Sequence, residues 1–381
     1  MDDHPPATRP ARGRLWVPWT ALGLVAVAWG ALRALPSGWI DEAWLRGWLP
    51  PASRLSAAAI DAVPFSWSLL TGLLLAIALG GLALSGVRRG RRHRLVWAAV
   101  ALLALGPTFE LAWGLGYRRS PLEARLGLPS SRPAPEAAWA ALDRFLSLAG
   151  ADAPYDLERL AAGAPWWARA VEAGSACVAR VDAYVVGRSE PLRLPTRLRR
   201  LPAGALLTGG FAGVQAPWWR EPHVDGGLPP AAALTTGLHE LVHTAGWAGE
   251  AETDALAVLA GLACDDPDVR FATALHGLLL TRAELLRHLQ ADPGGRAELD
   301  RRWATLPPAA TAAWAASSAA LARHRSPTVE RAVGATYDAY LRASGVEAGL
   351  ADYGRAGELL LAALERCGSF PDAPWCAEPG R

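Results

Sequence analysis

Uncharged runs organise the first third of the chain, and amphipathic helical stripes organise most of the rest. Residues 15–32 carry no charge, and the run continues to Leu35 past a single arginine, Arg33. Residues 62–87 are uncharged throughout, while residues 95–117 carry one charge, Glu110, after Pro107. A bilayer core of ~30 Å asks for about 20 apolar residues per helix, so each run is long enough to span it. The first run exceeds the apolar part of a cleavable signal peptide, and no small-residue cleavage site follows at Pro36–Trp39. The pattern therefore predicts a short tail over 1–14 and a three-helix transmembrane anchor over 15–117.

From 118 to 381 the periodicity predicts an α-rich domain. Amphipathic stretches fall at 136–149, 166–186, 267–290, 309–323, 327–344 and 352–366. Breakers separate them: P-A-P at 133–135, D-P-G-G at 292–295 and L-P-P at 306–308. The segment 187–230 is rich in Gly and Pro, shows alternating patches, and is where a small β-sheet is expected.

Charge placement orients the anchor. Arg9, Arg12 and Arg14 precede the first run, and Arg88, Arg89, Arg91, Arg92 and Arg94 separate the second and third with no acid among them. The positive-inside rule puts both segments in the cytoplasm and the 118–381 domain outside the cytoplasmic membrane. Trp39, Trp44 and Trp48 beside Leu45 and Leu49 predict an outer loop at headgroup level. Glu110 reads as a carboxylate near the outer end of its helix, reaching water.

Composition adds two exclusions. A formal net charge of +2 gives no support to nucleic-acid binding, and 51% apolar residues exclude a disordered chain. The sequence contains neither Lys nor Asn, so its preference for Arg carries no chemical information. All four Cys lie in the 118–381 domain, where an oxidising compartment permits Cys367–Cys376 and Cys177–Cys264.

The chemistry concentrates at 238–254. Leu238–His243 contains H-E-x-x-H; on a helix, His239 and His243 stack on one face and both imidazoles can reach one metal ion. Glu240, about 100° round the helix, is placed to act as general base on a water activated by Zn2+. A solvated pair on a surface helix is the alternative, but Leu238, Leu241, Val242 and Ala245 mark the helix as buried. Two His need at least one more protein ligand. Gly246 can end the helix and reverse the chain, and Glu250, Glu252 and Asp254 then open a new apolar helix. Positions 250 and 252 differ by about 200°, so only one can face the metal. Glu250 is the expected ligand, with Glu252 as the fallback. Asp254, on the face of Glu250, is the expected partner of a ligating imidazole. A metzincin would place His where Gly249 stands, and an intramembrane protease would carry the motif inside a long apolar span.

Further motifs join these. Trp113–Pro121, Gly213–Pro217, Glu221–Asp225, Leu228–Pro229, His239–Glu252, Asp268–Phe271 and the Tyr337–Leu360 region together resemble an uncharacterised family of bacterial membrane proteins, a domain of unknown function. Asp225 and Asp254 stand where that family usually has an amide. The resemblance implies a mainly α membrane protein: a three-helix anchor plus an α-rich zincin-like metallopeptidase domain with a small β-sheet. It supplies no substrate. Tyr340 and Tyr353, and with them Tyr337, are phenols able to serve an oxyanion. Glu221 and His223 are expected in structural roles, and His276, His288 and His324 as ordinary residues.

The expected protein is a zinc-dependent endopeptidase with its centre in the cell envelope. Its partners are the lipid bilayer and a peptide or protein substrate, and a segment within 204–218 offers an edge strand to that substrate. The rival expectations are a non-catalytic zinc-stabilised binding domain and a zinc hydrolase of a non-peptide envelope substrate.

Overall fold

In a computed structural model, residues 16–86, 91–151, 164–368 and 372–376 are described. The tail 1–14 and Arg88–Arg89 of the basic loop lie outside them. The chain is mainly helical with one small sheet. Helix α1 covers Trp16–Arg33. A helical turn at Ser37–Trp39 and a wide π-helical stretch, Ile40–Trp48, lead into α2, Leu49–Ala62. Helices α3, Trp67–Gly86, and α4, Arg91–Ala112, follow. Then come α5, Pro135–Ala151, and α6, Ala164–Val186. The sheet has strands β1, Arg199–Leu201, β2, Gly213–Ala216, and β3, Glu221–Asp225. The rest is helical: α7, Pro230–Thr244; α8, Glu250–Leu262; α9, Pro267–His288; α10, Pro293–Trp303. It ends with α11, Pro308–His324, α12, Pro327–Ala343, and α13, Ala356–Glu365.

The sheet falls inside the predicted 187–230 segment. Its order is β1-β3-β2, with β3 parallel to β1 and antiparallel to β2, so β2 is an edge strand. The domain core packs α7 and α8 against α6, α9 and α13, around the fully buried Trp247, Phe145, Phe271 and Trp375. Two disulfides tie it: Cys177 at α6 to Cys264 after α8, and Cys367 to Cys376.

The expected headgroup-level loop is corrected at Trp44. Ile40, Trp44, Leu45, Leu49 and Ile60 are buried, and all but Ile60 are continuous with the domain core. The Trp44 indole donates to the carbonyl of Leu111 at 2.6 Å, which satisfies the one polar atom that burial would otherwise strand. Trp39 alone of the three tryptophans stays exposed. Glu110 does not reach water either: it is buried and paired with Arg118 at 2.9 Å.

Three apolar helices are each tied to the domain at one end by a charge of the sign the helix dipole favours. Arg118 donates to the carbonyls of Leu32, Arg33 and Leu35 at the end of α1. Glu221 accepts from the backbone N–H groups of Trp67 and Ser68 and from the Ser66 hydroxyl at the start of α3. Arg220 donates to the Ala112 carbonyl at the end of α4. Glu221 and His223 thus hold α3 through Ser66. Among the described residues no single helix is long and apolar enough to cross a membrane; the shorter apolar stretches are Trp67–Gly81 and Ala99–Ala112.

Candidate metal centre

Helix α7 begins at two prolines, Pro229 and Pro230, whose fixed φ suits a first turn. Leu234, Leu238, Leu241 and Val242 bury its inner face. After Thr244 the chain reverses at Gly246, whose φ of 98° favours glycine. A Cβ there would also lie 2.9 Å from Leu49, so the turn and the packing of α2 both require its absence. The reversal lays α8 against α7 and returns Glu250 of its first turn to the His pair.

His239, His243 and Glu250 converge. Their ligand atoms all lie within 4.8 Å of one another. Oε2 of Glu250 stands 3.2 Å from Nε2 of His239 and 3.3 Å from Nε2 of His243. That oxygen is buried and has no hydrogen-bond partner. Two imidazoles and a carboxylate oxygen converging in this way form a donor set suited to a divalent cation. Glu252 faces the other way, as the helix phase requires. It accepts from the Leu122 N–H at 2.6 Å and pairs with buried Arg119 at 3.5 Å.

The other imidazole nitrogens are held. Nδ1 of His239 bonds Asp254 at 2.8 Å, and Nδ1 of His243 donates to the Trp247 carbonyl at 2.6 Å. These partners leave both Nε2 atoms facing Glu250, the arrangement that fixes a ligating tautomer. Burial opposes charge on His239, but Asp254 and Glu250 outweigh it and hold its pKa well above the usual value. Burial likewise opposes charge on Glu250, and His243 and His239 outweigh it and hold its carboxyl well below the ordinary range.

Glu240 sits beside this group with Oε2 buried and partnerless, and burial pushes its carboxyl up to about 7. It opens with His239 onto a cleft of about 950 Å³. One wall is the Gly209–Gly213 approach to β2, and α12, packed against Gly209 and Gly210, adds Arg331 and Gly334 to the lining. Asp225 shapes the first wall by accepting the N–H groups of Gly204, Leu206 and Leu207. At Gly213 an added Cβ would lie 2.5 Å from Oε1 of Glu240, so only glycine lets the strand pass so near that carboxylate.

The tyrosines divide. Tyr337 donates to Oε1 of Glu250, and Tyr353 lines the cleft. Burial, reinforced by Glu250, pushes both phenols far up, so they remain donors. Tyr340 stands behind them with its hydroxyl accepting from the Trp113 indole at 2.9 Å. Sequence reasoning missed three neighbours. His276 of α9 lies 3.5 Å from Asp254. The Trp113 ring packs 5.1 Å from His243. The Arg220 guanidinium bonds both the Thr244 carbonyl of α7 and the Ala112 carbonyl of α4. None of these carries a spacing signal, because each contact joins distant segments.

Neither the curated proteins nor the solved structures gave a match. The family model described as "Protein of unknown function (DUF3810)" matches residues 44–361, a stretch that takes in the His239–Glu250 cluster, the cleft and the buried Trp44, Leu45 and Leu49. The chain belongs to the DUF3810 family.

Proposed function

We propose that the chain is a membrane-anchored zinc metallopeptidase whose centre lies outside the cytoplasmic membrane. One observation carries the enzymatic part: three ligand atoms converge beside a buried carboxylate oxygen that has no other partner, and His239 and Glu240 of this group line an open cleft. A purely structural zinc site is closed, whereas this group borders a cavity. His239, His243 and Glu250 would hold the ion, which supplies Lewis acidity toward a peptide carbonyl and makes water easier to deprotonate. Glu240 takes the proton from that water and passes it to the leaving nitrogen. Asp254 and the Trp247 carbonyl keep the two imidazoles in register. Tyr353, which lines the cleft, is the phenol placed to donate to a developing oxyanion.

Three features support the anchor. Helices α1, α3 and α4 expose Val27, Ile77 and Leu102, each more than half exposed, among many apolar neighbours. Counted along the backbone they are 18, 20 and 22 residues long, about 27–33 Å at 1.5 Å per residue, and the described apolar stretches within the second and third, Trp67–Gly81 and Ala99–Ala112, are shorter. An exposed aromatic marks the domain-side end of each: Trp39 after α1, Phe65 before α3, and Trp218 against α4. The arginine-rich 88–94 segment joins the opposite ends of α3 and α4, the cytoplasmic side by the positive-inside rule.

Metal analysis of the full chain together with the termini of envelope proteins in cells tests the reading. Wild type should bind zinc and generate new termini. Glu240→Gln should keep the zinc and generate none, and Tyr353→Phe should lower kcat with zinc content unchanged. Full activity in Glu240→Gln, or a wild-type chain that binds no divalent metal, refutes it.

A further inference from the structure

We propose that the substrate is the juxtamembrane segment of another polypeptide anchored in the same bilayer, bound as an added strand on β2 and cut about five residues from the lipid surface. The inference rests on the metallopeptidase and anchor readings above. Among the described residues strand β2 has a strand partner on one side only. The Asp225 N–H donates to the Ala212 carbonyl at 2.8 Å, which sets the phase of the pairing with β3. Residues 212, 214 and 216 therefore turn their backbone groups to β3, and Gly213 and Gln215 turn theirs to the open edge. Pro222, which has no N–H to offer, stands opposite Gln215 at a position where none is needed. The open edge is the template for an extended chain.

The two ends of this edge have different surroundings. At Gly213 the strand passes so near Glu240, the candidate base, that an added Cβ would meet its carboxylate. Five residues on, Trp218 is 52% exposed, packs on Phe109 at 5.8 Å and donates to Thr108 at 3.2 Å, in the last turns of α4. Trp219 stacks on Trp67 at 5.1 Å and donates to Thr71 at 3.2 Å, in the first turn or so of α3. The edge thus runs from the catalytic group to the aromatic level of the apolar helices. At ~3.3 Å per residue the extended run Gly213–Ala216 covers roughly 10 Å, and Trp218 follows in the turn that leads to β3. A polypeptide paired to β2 with its scissile bond at Glu240 meets the bilayer surface within about five residues. The metal group is equally close to that surface, because Trp113 follows α4 directly and packs on His243.

A soluble protein reaches such a site only by bringing an unfolded segment down to the lipid. A membrane-anchored chain arrives with its juxtamembrane segment already there, at a raised effective concentration. The reaction is plain hydrolysis. The water oxygen bonds the carbonyl carbon, the C–N bond breaks, and a proton passes to the leaving nitrogen, giving a carboxyl group and an amine.

The test co-reconstitutes the full zinc-loaded chain in phospholipid vesicles with single-pass reporters carrying randomised, unstructured juxtamembrane segments. Cleavage positions are read by mass spectrometry, before and after an inert Gly-Ser block is inserted next to the bilayer. The expected cuts cluster about five residues from the lipid boundary and keep that distance when the block displaces the original segment. The same segments freed of their anchor should be cut at least ~10-fold more slowly at equal concentration. Cuts scattered along the segment, or equal rates for free and anchored peptides, overturn the inference while leaving the peptidase reading standing. No cleavage of either form, with wild type and Glu240→Gln alike inert, removes the peptidase reading and this inference with it.

Discussion

Glu250 and Glu252 stand two residues apart on one helix, yet removing their charges should damage different properties. In Glu252→Gln the metal group is untouched, and the amide oxygen can still accept the Leu122 N–H that Glu252 now receives at 2.6 Å. What is lost is the counter-charge of Arg119, whose side chain is 1% exposed and lies 3.0 Å over the Trp247 ring. None of its guanidinium nitrogens has a hydrogen bond, and burial already lowers its pKa to about 9. Leaving a buried charge unpaired costs about 3–5 kcal/mol, a large part of the ~5–15 kcal/mol that holds a domain together. At ~2.1 cal/mol/K per residue, a domain of this size should lose about 5–9 °C in Tm. Adding Arg119→Met should recover much of that loss, because it removes the buried charge that was left without a partner. Glu250→Gln should do the opposite, weakening zinc by at least ~10-fold with a smaller change in the metal-free Tm. Zinc competition against a chromogenic chelator and thermal unfolding of the detergent-solubilised, chelator-treated chain measure the two effects. Zinc loss in Glu252→Gln with zinc retained in Glu250→Gln refutes the assignment of the two faces.

Other expectations concern the imidazole partner, the disulfides and the topology. Asp254→Ala frees Nδ1 of His239, and zinc affinity in the same competition assay should fall ~10–100-fold; an unchanged affinity means that Asp254 does not orient the ring. Thiol counting under denaturing conditions should find no free thiol without reductant and all four cysteines with it. The link across 87 residues should stabilise by about 4–5 kcal/mol and the 9-residue one by about 2–3 kcal/mol, read as denaturant midpoints of the Cys→Ser pairs. A reporter active only in the cytoplasm, fused after Arg381, should stay silent, and a strong signal there reverses the orientation.

Much of the candidate metal centre was legible because a helix has a fixed phase. The i, i+4 spacing of His239 and His243 and the 200° between positions 250 and 252 follow from 3.6 residues per turn, with no tertiary information. Long apolar runs and Pro-marked helix starts were legible for similar reasons, and so was the place of the sheet. Other features were hidden because periodicity records that a face is apolar, not what covers it. The Trp44–Leu45–Leu49 stripe is the same whether it meets headgroups or, as here, the domain core. Tyr337 and Tyr340 share one helix face, and only packing decides that the first reaches Glu250 and the second Trp113. The partner of Glu110 lies eight residues on, beyond the end of its helix, where no helical spacing points.

The burial of the 40–60 segment bears on how the protein can be made. Its Ile40, Trp44, Leu45 and Leu49 belong to the same core as residues near the other end of the chain, such as Trp375. During synthesis this segment emerges early and leaves the ribosome long before its partners exist. In the proposed topology it waits on the outer face between two helices that must insert first. The domain can close only after the third helix has inserted and the remaining chain has been exported. A secreted fragment beginning at Tyr117 therefore starts with a vacancy where Ile40, Trp44, Leu45 and Leu49 belong. Membrane insertion becomes a step in folding the domain as well as a means of tethering it.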